Sequence, residues 1–264
     1  MKRFFLILLG VSLLSAETKQ ERGKQIIDEA VEALGGHRFL GMKDRVESGR
    51  AYSFYREELS GLSVAKIYTQ YLDPSSVTKP GELAVRERQA FGKDEYSSVL
   101  FYGNEGYQIT FRGARPLSES MLERYRSGTL NNIFYILRQR LAEPGMIFEF
   151  QGTDVWMNQP VEIVDITDAD NRVVTVYFHR STKLPLRETF YRRDPKTRER
   201  IDEEVEFGKY RDVDGVQWPF TMLRKRNGEK VYEIYAELVS INQGLSDSLF
   251  VLPSDVKILK KPME

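Results

Sequence analysis

No cysteine occurs in the 264 residues. That absence excludes disulfides, thiolate nucleophiles and Cys-ligated zinc, and leaves the compartment to other signals. Histidine occurs twice, as His37 and His179. A positive excess is also missing: 39 basic residues face 39 acidic ones, and without Lys2 and Arg3 of the first sixteen residues the balance is 37 against 39. A nucleic-acid binder normally carries a basic footprint, so no nucleic-acid partner is expected. Beyond the N-terminus no run is apolar enough to span a membrane. There is no H-E-x-x-H, P-loop, dinucleotide fingerprint or G-x-S-x-G elbow, and no metal or cofactor is expected.

The N-terminus supplies the compartment signal. Lys2 and Arg3 precede the apolar run Phe5 to Leu14, followed by Ser15, Ala16 and the polar stretch ETKQERGK. A short positive region, a short apolar core and a small residue form a signal-peptide layout, too brief for a permanent span. Residues 1–16 are therefore expected to be a signal peptide cleaved after Ala16, and residues 17–264 a single exported domain. The alternative is a buried or interfacial helix. Glu17 stands where a lipoprotein would carry its acylated cysteine, so the mature chain is expected to be periplasmic and not lipid-anchored.

Aromatic residues are plentiful, with 14 Tyr, 15 Phe and 2 Trp, a usage that suits the half-buried pleated surface of strands. One helix comes first. In KQIIDEAVEALGG, Ile26, Ile27, Ala30, Val31, Ala33 and Leu34 recur at helical spacing, and Gly35-Gly36 stop it. Short strand runs follow from Val46, with a hairpin expected at Ser60-Gly61. A helical pair, SESMLERYRSG and NNIFYILRQRLAEPG, interrupts them, with Asn131 or Asn132 as N-cap and Pro144-Gly145 as terminator. Strands then resume to Asn242. Turns fall at Asp168–Asn171, Lys183–Pro185, Asp194-Pro195, Asp212–Gly215 and Asn227-Gly228, the last being the clearest hairpin signal. Consecutive hairpins imply a meandering antiparallel sheet with helices on one face, an α+β fold.

Part of this wording is familiar. RVVTVYFHRSTKLPLRETFY, KYRDVDGVQWPFTM and INQGLSDSLFVLP, between Arg172 and Pro253, resemble segments of bacterial outer-membrane lipoprotein-sorting and lipoprotein-carrier-like (LolA/LolB-like) proteins. EALGGHRFLGMKDRVESGR resembles the opening of related exported proteins. The resemblance implies a strongly curved antiparallel sheet, a half or incomplete β-barrel, with helices covering a concave apolar face. In carriers that cavity receives lipoprotein acyl chains; related folds serve as lipid-binding, stress-sensing or accessory domains. The expected function is thus non-catalytic binding of a hydrophobic ligand, a lipid or lipidated protein. The alternative is an envelope protein–protein interaction or stress-sensing module on the same fold.

Individual residues are read against that frame. Phe101, Ile109, Phe111, Phe148, Phe150, Val176, Phe178, Trp218, Phe220 and Met222 lie in strands whose faces are expected to line an apolar hollow. Ordinary core packing is the plainer account for most of them. His179 beside Ser181 offers a conceivable nucleophile pair, though its neighbours read as a turn, and His37 reads as a loop residue. Asp212 and Asp214 read as a strand-joining turn, not a calcium loop. Charges alternating through ERIDEEVEFGKYR suit cross-strand pairing on a solvated face. RRDPKTRER, from Arg192 to Arg200, reads as a solvated hairpin tip, with contact to anionic lipid headgroups as its functional alternative.

Overall fold

The computed structural model describes residues 17–76, 82–194 and 196–262. The expected leader over 1–16 lies outside the described residues. Helix α1 (Lys19–Leu34) begins with a capping box, in which Thr18 Oγ1 accepts from the Glu21 N–H and Glu21 Oε2 accepts from the Thr18 N–H. Its Ile26, Ile27, Ala30, Val31 and Leu34 are buried along one stripe, and Gly35, at φ 124°, ends it. The chain then makes one more turn, α2 (His37–Leu40), where a loop was expected. Fully buried Phe39 anchors that turn.

Two meanders follow. The first comprises β1 (Asp44–Tyr55), β2 (Glu58–Tyr71), β3 (Val85–Phe91), β4 (Ser97–Tyr102), β5 (Glu105–Thr110) and β6 (Gly113–Pro116). A helical segment intervenes: α3 (Glu119–Leu130), the short α4 (Ile133–Tyr135) and a π-helical turn, Ile136–Arg140. The second meander comprises β7 (Ile147–Trp156), β8 (Gln159–Thr167), β9 (Val173–His179), β10 (Pro185–Arg193), β11 (Arg200–Val213), β12 (Val216–Arg226) and β13 (Glu229–Ile241). Pairing of β1 with β13 joins them into one antiparallel sheet among the described residues, in the order β6-β5-β4-β3-β2-β1-β13-β12-β11-β10-β9-β8-β7. The sheet is curved and does not close into a barrel. Because β6 and β7 form its opposite edges, the segment between them must cross the sheet. It crosses the concave face.

Turn chemistry sets the local register. Asn227-Gly228, at φ 50° and 85°, reverses β12 into β13 as the sequence predicts. The first hairpin departs from expectation: it turns at Arg56-Glu57, φ 51° and 65°, and Gly61 lies inside β2 opposite Ser53. The β1–β2 ladder is long enough to impose left-handed conformations on residues that seldom choose them. Some elements escaped the sequence reading. The short β6 and the extension of β7 through Trp156 are among them.

The main core lies between the sheet and the helices. It packs Ile27, Val31 and Leu34 of α1 and Phe134 and Leu137 of the helical segment against Val164, Val176, Phe178, Phe207 and Trp218. A smaller core, around Tyr68, Leu100 and Phe250, sits on the opposite face of the first meander, where the segment after β13 packs with Leu245 and Leu249. Asp44 holds that segment by accepting from the N–H groups of Gln243, Gly244 and Leu245 at 2.7, 2.9 and 3.2 Å. Among the described residues no helix is long and apolar enough to cross a membrane.

Helix α1 reaches the sheet through Gly23, where an added Cβ would lie 2.5 Å from the Phe148 carbonyl oxygen. Gly128 of α3 is also helical, yet there the nearest atom to an added Cβ is Arg224 Nη1 at 3.8 Å. The two sites predict opposite outcomes in denaturant melts. Gly23→Ala should destabilise the fold by about 1–3 kcal/mol through overpacking. Gly128→Ala should stabilise it by up to about 1 kcal/mol through helix propensity.

Candidate functional site

Strand alternation sends every second side chain to the concave side. Arg45 and Glu47 of β1, Ile67, Thr69 and Tyr71 of β2, and Glu87 and Gln89 of β3 thus share one wall. Phe190 of β10, Val205 of β11, Trp218 and Met222 of β12 and Ile234 of β13 form the apolar part of the other wall, which also carries Arg192, Glu203, Arg224 and Arg226. Tyr125, Gly128 and Thr129 of α3 with Phe134 and Tyr135 of α4 make the roof. The roofed hollow, partly open to solvent, measures about 640 Å³, within the range of about 300–1,000 Å³ usual for small-ligand sites.

The roof is pinned at both ends to different halves of the sheet. At its start Asn132 caps α4, and the Glu188 carboxyl group of β10 accepts from the Ile133 N–H at 2.7 Å through Oε2. At its far end Tyr135 Oη accepts from the Ala84 N–H at 2.9 Å, and Gln139 Nε2 donates to the Leu72 and Ala84 carbonyls at 2.8 and 2.6 Å. Arg138 donates to the Met42 carbonyl, and Arg140 pairs with buried Asp168 at 2.9 Å. Packing completes the hold. Phe134 meets Phe207 edge-on at 5.0 Å and Trp218 at 4.8 Å, while Tyr125 stacks on Phe101 at 3.6 Å.

A polar network occupies the floor. The Arg45 guanidinium lies 2.6 Å from Glu47, bonds the Tyr71 and Thr69 hydroxyls, and sits 4.1 Å over the Trp218 ring. Burial pushes the Glu87 carboxyl above its ordinary value, although Gln89 donates to it. Burial likewise pushes Tyr71 and Tyr125 up. The hollow is therefore amphiphilic, not uniformly apolar as the aromatic inventory suggested.

The ten residues expected to line it separate. Trp218 and Met222 do face the hollow. Phe101 props the roof from below through its stack on Tyr125. Phe148, Val176, Phe178 and Phe220 are buried in the main core, and Phe150 packs against it. Ile109 belongs to the core on the other face. Phe111 is 87% exposed beside the β5–β6 turn and faces no interior; the strand ends at Thr110, so alternation no longer orients it. Sequence reasoning missed Arg45, Glu47, Glu87 and Phe134. In VRERQ and RVES the charged positions look like a solvent face, and only the roof reveals that this face is covered. His179 Nδ1 accepts from the N–H groups of Ser181 and Thr182 at 3.3 and 3.1 Å, organising the turn. Asp212 does the same for Gly215.

Glu188 makes the roof sensitive to pH. It is fully buried, and burial raises its carboxyl from 4.5 to about 8 against the opposing pull of the Ile133 N–H. Between these values the folded chain keeps a proton that the unfolded chain releases. Stability from this group is thus greatest below the lower value and falls as pH rises toward the upper one. Melting temperatures measured across that window should decline in the unsubstituted protein. Glu188→Gln, which cannot ionise, should flatten the decline; an unchanged slope would remove Glu188 as its source.

No family model matches the sequence, and no curated protein matches it by sequence. Solved structures do resemble it. A domain described as that of an outer membrane lipoprotein-sorting protein from Vibrio parahaemolyticus aligns over 88% of this chain and 97% of its own, at 14% identity and a TM-score of 0.55. A DUF1329 family protein from Desulfovibrio piger aligns over 87% and 97%, at 15% identity and 0.57. A LolA superfamily protein from Nitrosomonas europaea also aligns over 87% and 97%, at 10% identity and 0.54. The chain therefore has the LolA-like fold shared by these structures.

Proposed function

We propose that this protein is exported to the cell envelope as one mature domain, where it binds a hydrophobic ligand, a lipid or the acyl chains of a lipoprotein. The roofed hollow of about 640 Å³ carries the reading. Phe134, Phe190, Trp218 and Met222 supply its apolar surface, and burying hydrocarbon there contributes about 0.8 kcal/mol per CH₂. The leader layout over 1–16 supports export, and the likeness to a lipoprotein-sorting domain and to a LolA superfamily protein supports this choice of ligand class. No covalent step is assigned, since His179 is engaged in its own turn.

A second reading, an envelope interaction module, has one observation in its favour. Leu62 and Val64 of β2 stand on the outer face and are more than half exposed, which suits contact with a protein partner.

Native mass spectrometry of protein purified from envelope fractions separates the two. Lipid adducts removable by solvent extraction are expected. Ile67→Trp should fill the hollow and abolish lipid uptake while circular dichroism stays unchanged. A lipid-free protein that accepts no lipid after extraction, yet still recovers one protein partner, would favour the second reading.

A further inference from the structure

The two faces of the second meander treat their charges differently. On the outer face, cations and carboxylates match: Arg187 contacts Glu204, and Lys225 contacts both Glu204 and Glu206. On the inner face, Arg192 of β10 and Arg224 and Arg226 of β12 line the hollow together with Arg124 from α3. One carboxylate is ion-paired to that group among the described residues, while Glu87 and Glu188 act on Arg224, and Asp194 on Arg124, without direct contact. Glu203 lies 2.9 Å from Arg192 and 3.2 Å from Arg226. Arg124 and Arg224 have no salt-bridge or hydrogen-bond partner among the described residues. Burial, helped by nearby Arg226 and Arg192 and opposed by Glu203 and Asp194, holds the Arg124 guanidinium below its ordinary pKa.

Position along the strand matters as much as charge. Trp218, Met222, Arg224 and Arg226 all line the same hollow from β12. The four steps along the strand from Met222 to Arg226 span about 13 Å at the usual strand rise. The hollow thus grades from an aromatic and thioether interior to a guanidinium rim. Guanidinium forks pair with carboxylate or phosphate through two parallel hydrogen bonds, and partial exclusion of water strengthens them. Positive charge concentrated beside low-dielectric walls attracts an anion, and Arg124 and Arg224 carry theirs without an ion-paired carboxylate among the described residues.

We propose that the hollow takes an anionic amphiphile, with its hydrocarbon against Phe134, Trp218 and Met222 and its carboxylate or phosphate headgroup held by Arg124, Arg192, Arg224 and Arg226. This assignment rests on the hydrophobic-ligand reading and adds the headgroup to it. A hollow within the small-ligand range suits a single-chain amphiphile better than a many-chained lipid. Arg192, which the sequence places at the base of a solvated hairpin tip, is half-buried and turned inward.

The test uses the full mature chain, stripped of lipid and titrated by calorimetry. Palmitate and palmitoyl-lysophosphatidylglycerol are the anionic probes, monopalmitoylglycerol the uncharged match and inorganic phosphate the headgroup alone. The anionic probes are expected to bind about ten-fold or more tightly than the uncharged one, the margin of one charge-assisted hydrogen bond. The double variant Arg224→Gln/Arg226→Gln should bring that preference to parity, and Arg224→Lys/Arg226→Lys should retain most of it. Thermal melts check that each variant is folded. Equal affinity for charged and uncharged probes, or a preference that survives both the double variant and Arg124→Gln, overturns the headgroup assignment and leaves the hydrophobic hollow standing. Phosphate binding as tightly as the lysolipid overturns the amphiphile in favour of a free-anion site. Failure of every probe to bind overturns the assignment together with the reading beneath it.

Discussion

Pairing of β1 with β13 brings together the first and last strands of a chain that otherwise meanders locally. The other neighbouring strands in the sheet are consecutive in sequence. This pairing closes a loop of about two hundred residues, whose entropic cost grows only slowly with length. Its consequence is geometric. With β1 and β13 at the centre, β6 and β7 become edges, and the chain between them has to travel over the sheet. The roof follows from that connectivity, and the hollow follows from the roof.

A roof laid over a curved sheet could have been sealed by packing alone. Here it is sealed only on one side. Phe134 fills the space above Phe207 and Trp218, while Tyr125 and Tyr135 stand over the first meander. That second region keeps polar groups, which are costly to bury unless they find partners. Arg45 meets this demand with Glu47, two hydroxyls and an aromatic face. The roof is held the same way: its fixed points are a carboxyl group on a helix N-terminus, a phenol on a strand-end amide and an amide on two carbonyls. Such directional contacts set the height of the roof above the floor more narrowly than apolar contact would.

The charges of the second meander show how one sheet separates solvation from recognition. Successive residues point to opposite faces, so DEEVEFG places Glu204 and Glu206 outside with Lys225, and Glu203 inside with Arg226. The outer set neutralises itself in water. Inside, Arg192 of β10 and Arg226 of β12 share Glu203, while Arg124 and Arg224 have no ion pair among the described residues. The alternating-charge stretch thus has two roles, divided by a period of two.

Much of the local structure was legible in the sequence because it depends on neighbours a few residues apart. The Thr18–Glu21 cap, the apolar stripe of α1, the Gly35 stop and the Asn227-Gly228 reversal are of this kind, and the antiparallel meander follows from the spacing of turns. The ligand-facing surface was not legible. Glu47, Glu87 and Arg224 stand in polar or charged stretches that read as a solvated face, and nothing within ten residues of them reports the helix overhead. Phe178 and Trp218 have equally apolar surroundings in sequence, yet one is packed solid and the other borders a void. Periodicity tells which side of a strand a residue occupies. What covers that side is set by a strand pairing across the length of the chain, and only the tertiary structure decided it.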